Sequence, residues 1–148
     1  MPEPIIAILV ILGLVILFII PNIKIVRANE VKVVERLGKF HKMLDTPGIH
    51  FVVPFIDRDI QTVSLNKEHI HVKLKAEIDD QNKDIFISYF MKVTNPKTYV
   101  YAALDSNKVI HEYIISSIES KIDIETIKEE TISYALSYGF EIENLNIK

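Results

Sequence analysis

Two histidines, His69 and His71, stand two residues apart in a segment that alternates apolar and polar side chains. On a strand that spacing puts both imidazoles on one face. Two imidazoles are half of a zinc site, which needs three or four ligands, and Glu68 points to the opposite face. The expectation is a pair of sheet-surface histidines and no metal centre. His50 lies in an apolar run and is expected to pack or hydrogen-bond locally; His41 and His111 read as surface positions. Carboxylates pair at Asp57/Asp59 and at Asp79/Asp80, the latter in a turn-like stretch where Asp is favoured for backbone bonding. General acid–base work needs a pocket and a shifted pKa, and nothing around these acids signals either. Cysteine is absent. Thiolate nucleophiles, disulfide frameworks and Cys-based zinc sites are excluded. No glycine-rich phosphate loop, nucleophile elbow or H-E-x-x-H motif occurs. The expectation is no catalytic residue, no cofactor and no metal.

The elements available to position any chemistry begin with the first segment. Ile5 to Ile20 carries no polar side chain. A helix of that length spans roughly 24 Å, slightly short of a bilayer core of about 30 Å. Ile23 and Ile25 are able to extend it, with Lys24 reaching back toward the headgroups. Pro4 suits a first helical turn and Pro21 marks an end or kink. A cleaved leader would start with basic residues and end on small ones; here Glu3 precedes the run and Pro21 follows it. Residues 1–22 therefore read as a membrane anchor, with Ile5, Leu9, Leu12, Ile16 and Ile20 on its surface. Lys24, Arg27 and Lys32 follow the span, so the remainder is expected to face the cytoplasm.

Residues 23–148 have the mixed composition of one globular domain. The chain holds 17 basic and 20 acidic residues, and only Glu3 of the acids precedes Asn22. Such a balance excludes a nucleic-acid binder, which needs a basic face. A bend at Ala28-Asn29-Glu30 precedes a strand through Val31, Val33 and Val34, which ends at Leu37-Gly38-Lys39. Thr46-Pro47-Gly48 is a turn. In the run Ile49–Ile56, Pro54 excludes a central strand and leaves an edge strand or a membrane-facing loop. Residues 59–65 and 69–74 alternate with period two. Asp79-Asp80-Gln81-Asn82 reads as a turn. Residues 84–93 follow as a strand with Ile85, Ile87, Tyr89 and Met91 on one face. The period then lengthens to that of helices. A short helix falls within 97–104. The next, capped by Ser106, aligns Ile110, Tyr113, Ile114 and Ile118. Another starts near Asp123 or Glu125 and is expected to bury Ile124, Ile127, Ile132, Ala135 and Leu136. Gly139 is placed to end it, and Phe140–Ile147 is a closing strand. Strands first, then helices, then one strand is an α+β order.

Two stretches are more specific than their composition. They are Glu30-Val31-Lys32-Val33-Val34-Glu35-Arg36-Leu37-Gly38-Lys39-Phe40 and Pro47-Gly48-Ile49-His50-Phe51-Val52-Val53-Pro54-Phe55-Ile56-Asp57-Arg58. In this order, directly after an apolar segment, they resemble the opening of the SPFH or band 7 family of stomatins, prohibitins and flotillins. The likeness continues through Val63-Ser64-Leu65, Met91-Lys92-Val93-Thr94-Asn95-Pro96 and Tyr138-Gly139-Phe140-Glu141-Ile142. It implies a compact SPFH domain of antiparallel strands, two helices and a closing strand, and a membrane-bound scaffold without a catalytic site. Such proteins self-associate, organise lipid microdomains and regulate neighbouring membrane proteins, including channels and proteases. Membrane lipid, a homo-oligomer and a membrane protease or channel are the implied partners. Phe51, Pro54 and Phe55 are the implied membrane-interface residues, with filling of the domain core as the competing role for that run. The stretches 75–86 and 104–139 are shorter than in the family. Relatives continue into a long coiled coil, and no heptad run occurs here, so smaller oligomers are expected. The leading expectation is a scaffold or adaptor. A regulatory subunit of a membrane protease or transporter, an uncharacterised hydrolase and a functionally reduced relative are the alternatives.

Overall fold

The computed structural model describes residues 3–78, 81–103 and 105–148. The chain forms two compact units, Met1–Thr62 and Val63–Lys148. The architecture is α+β, as the order of periodicities requires.

The first unit opens with helix α1, Glu3–Ile19, followed by a single 3-10 turn, Ile20–Asn22. Four short strands come next: β1 Ile23–Val26, β2 Glu30–Arg36, β3 Lys39–Leu44 and β4 Gly48–Phe51. β5, Asp57–Ser64, leads out of this unit. β1 and β4 form a two-stranded antiparallel ribbon, and β3-β2-β5 form a three-stranded sheet. A small core of Val26, Val34, Leu44 and Val52 lies within the unit. The strand through Val31, Val33 and Val34 ends as expected at Leu37-Gly38, both at positive φ, and the chain then runs back as β3, which the sequence did not signal. Lys39–Leu44 has too weak an alternation to be read as a strand alone. Ile23 and Ile25 do not extend α1; they belong to β1, because Pro21 and the 3-10 turn break the helical ladder.

The second unit is one three-stranded antiparallel sheet, β6-β7-β8, covered by helices. β6 is Glu68–Ile78, β7 is Gln81–Val93 and β8 is Phe140–Ile147. On β7 the alternation works as expected, with Ile85, Ile87, Tyr89, Met91 and Val93 buried. Of the expected 79–82 turn, Asp79 and Asp80 lie outside the described residues, as does Leu104 of the short helix. Gln81 and Asn82 are already strand, paired with Ile78 and Glu77. α2, Pro96–Ala102, is capped by Asn95, whose Oδ1 accepts from the Thr98 N–H at 3.1 Å. α3, Ser106–Glu119, packs against β6, and α4, Ile124–Ser137, packs against β8.

Two helix details differ from the sequence reading. The cap of α3 is Asp105, which accepts the Lys108 N–H at 3.1 Å; Ser106 is the first helical residue, buried, and donates to the Tyr99 carbonyl. Asp105 is the last extended residue and Ser106 already helical, so the Asp105 carboxylate holds the capping position. On α4 the buried row is Ile127, Thr131 and Ala135. Ile132 and Leu136 each lie one residue further, about 100° around the helix, and are exposed, as is Ile124 in the first turn. The expected face is therefore rotated, with a threonine in its centre.

His111 is not a surface residue. It is half-buried, with Nε2 3.1 Å from the buried Tyr89 hydroxyl. Burial lowers the His111 pKa and raises that of Tyr89. Both groups stay neutral near pH 7, as a buried pair requires.

Candidate functional site

The site is built from the end of α1, the β1–β4 ribbon and the turn that follows it. In the ribbon Ile23 lies opposite Phe51 and Ile25 opposite Ile49. Directly paired residues share a face. The two residue pairs therefore form one apolar patch, with Ile25 65 %, Ile49 76 % and Phe51 52 % exposed. The opposite face carries Val26, which joins the unit's core, and Lys24, which pairs with Asp59 at 3.0 Å. Lys24 is thus occupied by a carboxylate, where the sequence reading sends it to the headgroups. His50 bonds locally, with Nε2 2.6 Å from the Thr46 carbonyl oxygen.

After β4 the chain makes a turn at Pro54-Phe55-Ile56. Phe55 has φ of +64° and is 88 % exposed. A bulky side chain in the left-handed region costs about 1–3 kcal/mol and persists only where its surroundings impose it. Here they do. The Val53 N–H donates to Asp57 Oδ2 at 3.0 Å, and the Asp57 N–H donates to the Val53 carbonyl at 2.9 Å. The Leu37 N–H donates to the Ile56 carbonyl at 3.1 Å. Arg36 clamps Asp57 with two charge-assisted bonds, Nε to Oδ1 at 2.7 Å and a terminal nitrogen to Oδ2 at 3.1 Å. The turn is also tied to the helix end: the Val52 N–H donates to the Asn22 carbonyl at 3.0 Å, and Asn22 donates to the Phe18 carbonyl at 2.6 Å. The rings of Phe18 and Phe55 approach to 5.8 Å.

The residues singled out in the sequence thus fall as follows. Phe51 and Phe55 are exposed, and Pro54, between them, is half-buried. Val52 fills the core, the competing role considered for this run, while Phe51 and Phe55 stay outside it. Ile5, Leu9, Leu12, Ile16 and Ile20 are all exposed, on a helix long and apolar enough to cross a membrane. Ile23, Ile25 and Ile49 belong to the same apolar surface. Sequence reasoning misses their grouping because it arises from pairing across two distant strands. An exposed apolar surface of this extent marks an interaction site.

The ionisable groups hold the turn in place. The Arg36 guanidinium and the Val53 N–H hold the Asp57 carboxyl down to about 2. A group lowered in this way favours the folded state above the ordinary carboxylate pKa of about 3.9. That contribution is lost as pH falls through about 2. Thermal unfolding followed by circular dichroism is expected to weaken between about pH 4 and pH 2. Asp57→Asn is expected to lower the unfolding temperature at pH 7 and to flatten that part of the profile. An unchanged profile counts against the clamp.

His69 and His71 do share the exposed face of β6, with ring centroids 4.0 Å apart, and His69 stacks on Phe90. Among the described residues no group of three or more His, Cys, Asp or Glu is placed to hold a metal ion.

The profile of the SPFH domain / Band 7 family matches residues 24–133. A stomatin-like protein of Caenorhabditis elegans, stl-1, is 27 % identical over 113 residues, 73 % of this chain and 35 % of its own length. The human mitochondrial stomatin-like protein 2 is 25 % identical over 96 residues, 64 % of this chain and 27 % of its own. Protein HflK of Treponema pallidum is 40 % identical over 47 residues, 32 % of this chain and 14 % of its own. The chain spans about a third or less of the length of these curated relatives. With its α+β fold and a profile match across most of its residues, the chain belongs to the SPFH domain / Band 7 family.

Proposed function

We propose that this chain is a membrane-anchored scaffold or adaptor without catalysis of its own. In this reading residues 1–22 are the anchor and residues 23–148 the SPFH domain, which faces the cytoplasm. It organises membrane microdomains or membrane protein complexes, alone or as a homo-oligomer. The observation that carries the proposal is the continuity of apolar surface from α1 through Ile25, Ile49 and Phe51 to Phe55. Lipid beside a spanning helix satisfies such a surface, and the strained Phe55 is then displayed for contact. Lys24, Arg27 and Lys32 support the orientation.

The absence of cysteine makes the test direct. Phe55→Cys labelled with an environment-sensitive dye, in full-length chain reconstituted into vesicles, is expected to show a blue-shifted emission. Lipid-borne quenchers are expected to quench it strongly. A dye quenched only by aqueous iodide sinks the interfacial placement.

A regulatory subunit of a membrane protease or transporter is the second reading. Ile124, Ile132 and Leu136, exposed along α4, favour a protein contact on the second unit. Native mass measurement after mild extraction separates the two readings: a stoichiometric second protein favours the subunit, and a homo-oligomer alone favours the scaffold.

A further inference from the structure

β6 is an edge strand: the sheet order is β6-β7-β8, and among the described residues no strand pairs with its outer side. Phe86 and Lys148 exchange both backbone bonds, the Phe86 N–H donating at 2.8 Å and the Lys148 N–H at 3.0 Å. Even-numbered residues of β7 therefore face β8, and odd-numbered ones face β6. Val72 lies opposite Ile87 and Leu74 opposite Ile85, so even-numbered residues of β6 bond to β7. The odd-numbered residues of β6 turn their N–H and carbonyl groups outward. Glu77 verifies the direction: its N–H leaves the sheet and donates to Glu119 Oε1 at 3.0 Å, at the end of α3. His69, His71, Lys73 and Lys75 share that orientation, and among the described residues no partner meets their outward backbone groups.

The β6–β7 ladder runs from Glu68 to Ile78 without a register shift. The other edge, β8, is interrupted by a shift opposite Ser88 and Phe90 and by Asn144 at positive φ. A straight, open edge is a template for one more strand, and its side chains state which strand fits. His69, His71, Lys73 and Lys75 stand exposed on the open face of the sheet, while Ile70, Val72 and Leu74, on the other face, are half-buried against the core. Asp84 engages Lys73 at 2.7 Å from the β7 side, and Lys75 has no ion-pair partner among the described residues. The edge column is therefore basic. A second copy laid antiparallel on the same edge would set these side chains against their own kind, which is destabilising. A strand with carboxylates at alternate positions meets opposite charge instead, and its intervening apolar residues lie beside Ile70, Val72 and Leu74. We propose that the β6 edge, from His69 to Lys75, binds an extended segment of a partner protein, alternating acidic and apolar residues, by strand addition. The inference rests on the second unit alone and does not depend on the anchor or the apolar patch of the first.

The test uses the full chain in dodecyl maltoside and a fluorescein-labelled peptide alternating glutamate and valine, read by fluorescence anisotropy at low ionic strength. The chain is expected to bind it and not a matched peptide with lysine in place of glutamate. Lys73→Glu with Lys75→Glu reverses the column at exposed positions and is expected to weaken binding about tenfold; circular dichroism establishes that this variant is folded. Amide hydrogen exchange read by NMR identifies the mode. The amides of His71, Lys73 and Lys75 are expected to exchange quickly in the free chain and to slow when the peptide is added, whereas those of Val72 and Leu74, already bonded to β7, start out slow. Absence of binding, equal binding of the lysine peptide, undiminished binding by the double variant, or binding without slowing at these outward amides overturns the proposal. So does slowing at the same amides that grows with protein concentration in the absence of peptide, which makes a second copy the occupant.

Discussion

Gly139→Ala is expected to unfold or nearly unfold the second unit. A Cβ at this position would sit 2.5 Å from the Asn95 carbonyl oxygen, 2.8 Å from the Tyr99 nitrogen and 3.0 Å from Thr98 Cβ. Two of these are backbone atoms at the start of α2, which cannot swing aside as a side-chain tip does. The residue also has φ of +84°, where alanine is strained. Its carbonyl accepts the N–H groups of Thr94 and Asn95 and the Thr94 hydroxyl. Displacing it therefore breaks the junction that joins the end of β7 to the start of β8. Strain, steric overlap and lost hydrogen bonds together are expected to cost about 3–5 kcal/mol, a large part of the stability of a small domain. Thermal unfolding in detergent, followed by circular dichroism, reads the effect. Gly38→Ala is the control, because it has positive φ and no neighbour within 4 Å; it is expected to cost about 1 kcal/mol. Equal losses at the two positions would refute the close-approach argument.

Two arginines in the middle of α1, Leu12→Arg with Ile16→Arg, are expected to release the chain from membranes. Each costs about 2.5–3.5 kcal/mol near the centre of a spanning helix. The pair therefore offsets most of what the remaining apolar residues contribute, at about 0.3–0.6 kcal/mol each. Wild-type chain is expected to stay in the pellet during alkaline carbonate extraction and the double variant to appear in the supernatant. Wild-type chain in the supernatant would remove the anchor and, with it, the interfacial role of Phe51 and Phe55. The two substitutions lie in α1, remote from Gly139 in sequence and in the other compact unit.

Sequence by itself determined the elements whose signal is local. The unbroken apolar run dictated α1, because no side chain in it prefers water. Period-two alternation placed β7 and its buried face, since a strand shows successive side chains to opposite sides. Gly139 and Pro21 marked element ends through backbone constraints that belong to those residue types alone. Family membership was legible in two contiguous stretches.

What depends on distant parts of the chain was decided by the tertiary structure. The rotation of α4 was settled by the surface it packs on, and Thr131 went inside where Ile132 did not. Asp105 displaced Ser106 as a cap because the chain is already helical at Ser106, which leaves the extended Asp105 as the residue whose oxygen reaches the Lys108 N–H. Asp57 read as half of an acid pair and became the brace of the turn only when Arg36, 21 residues earlier, was folded against it. Ile25 and Ile49 became one surface only by pairing across β1 and β4. Local patterns fix dihedral preference and burial period. Which faces coalesce into a site depends on strand register and loop closure, which no short window of sequence encodes.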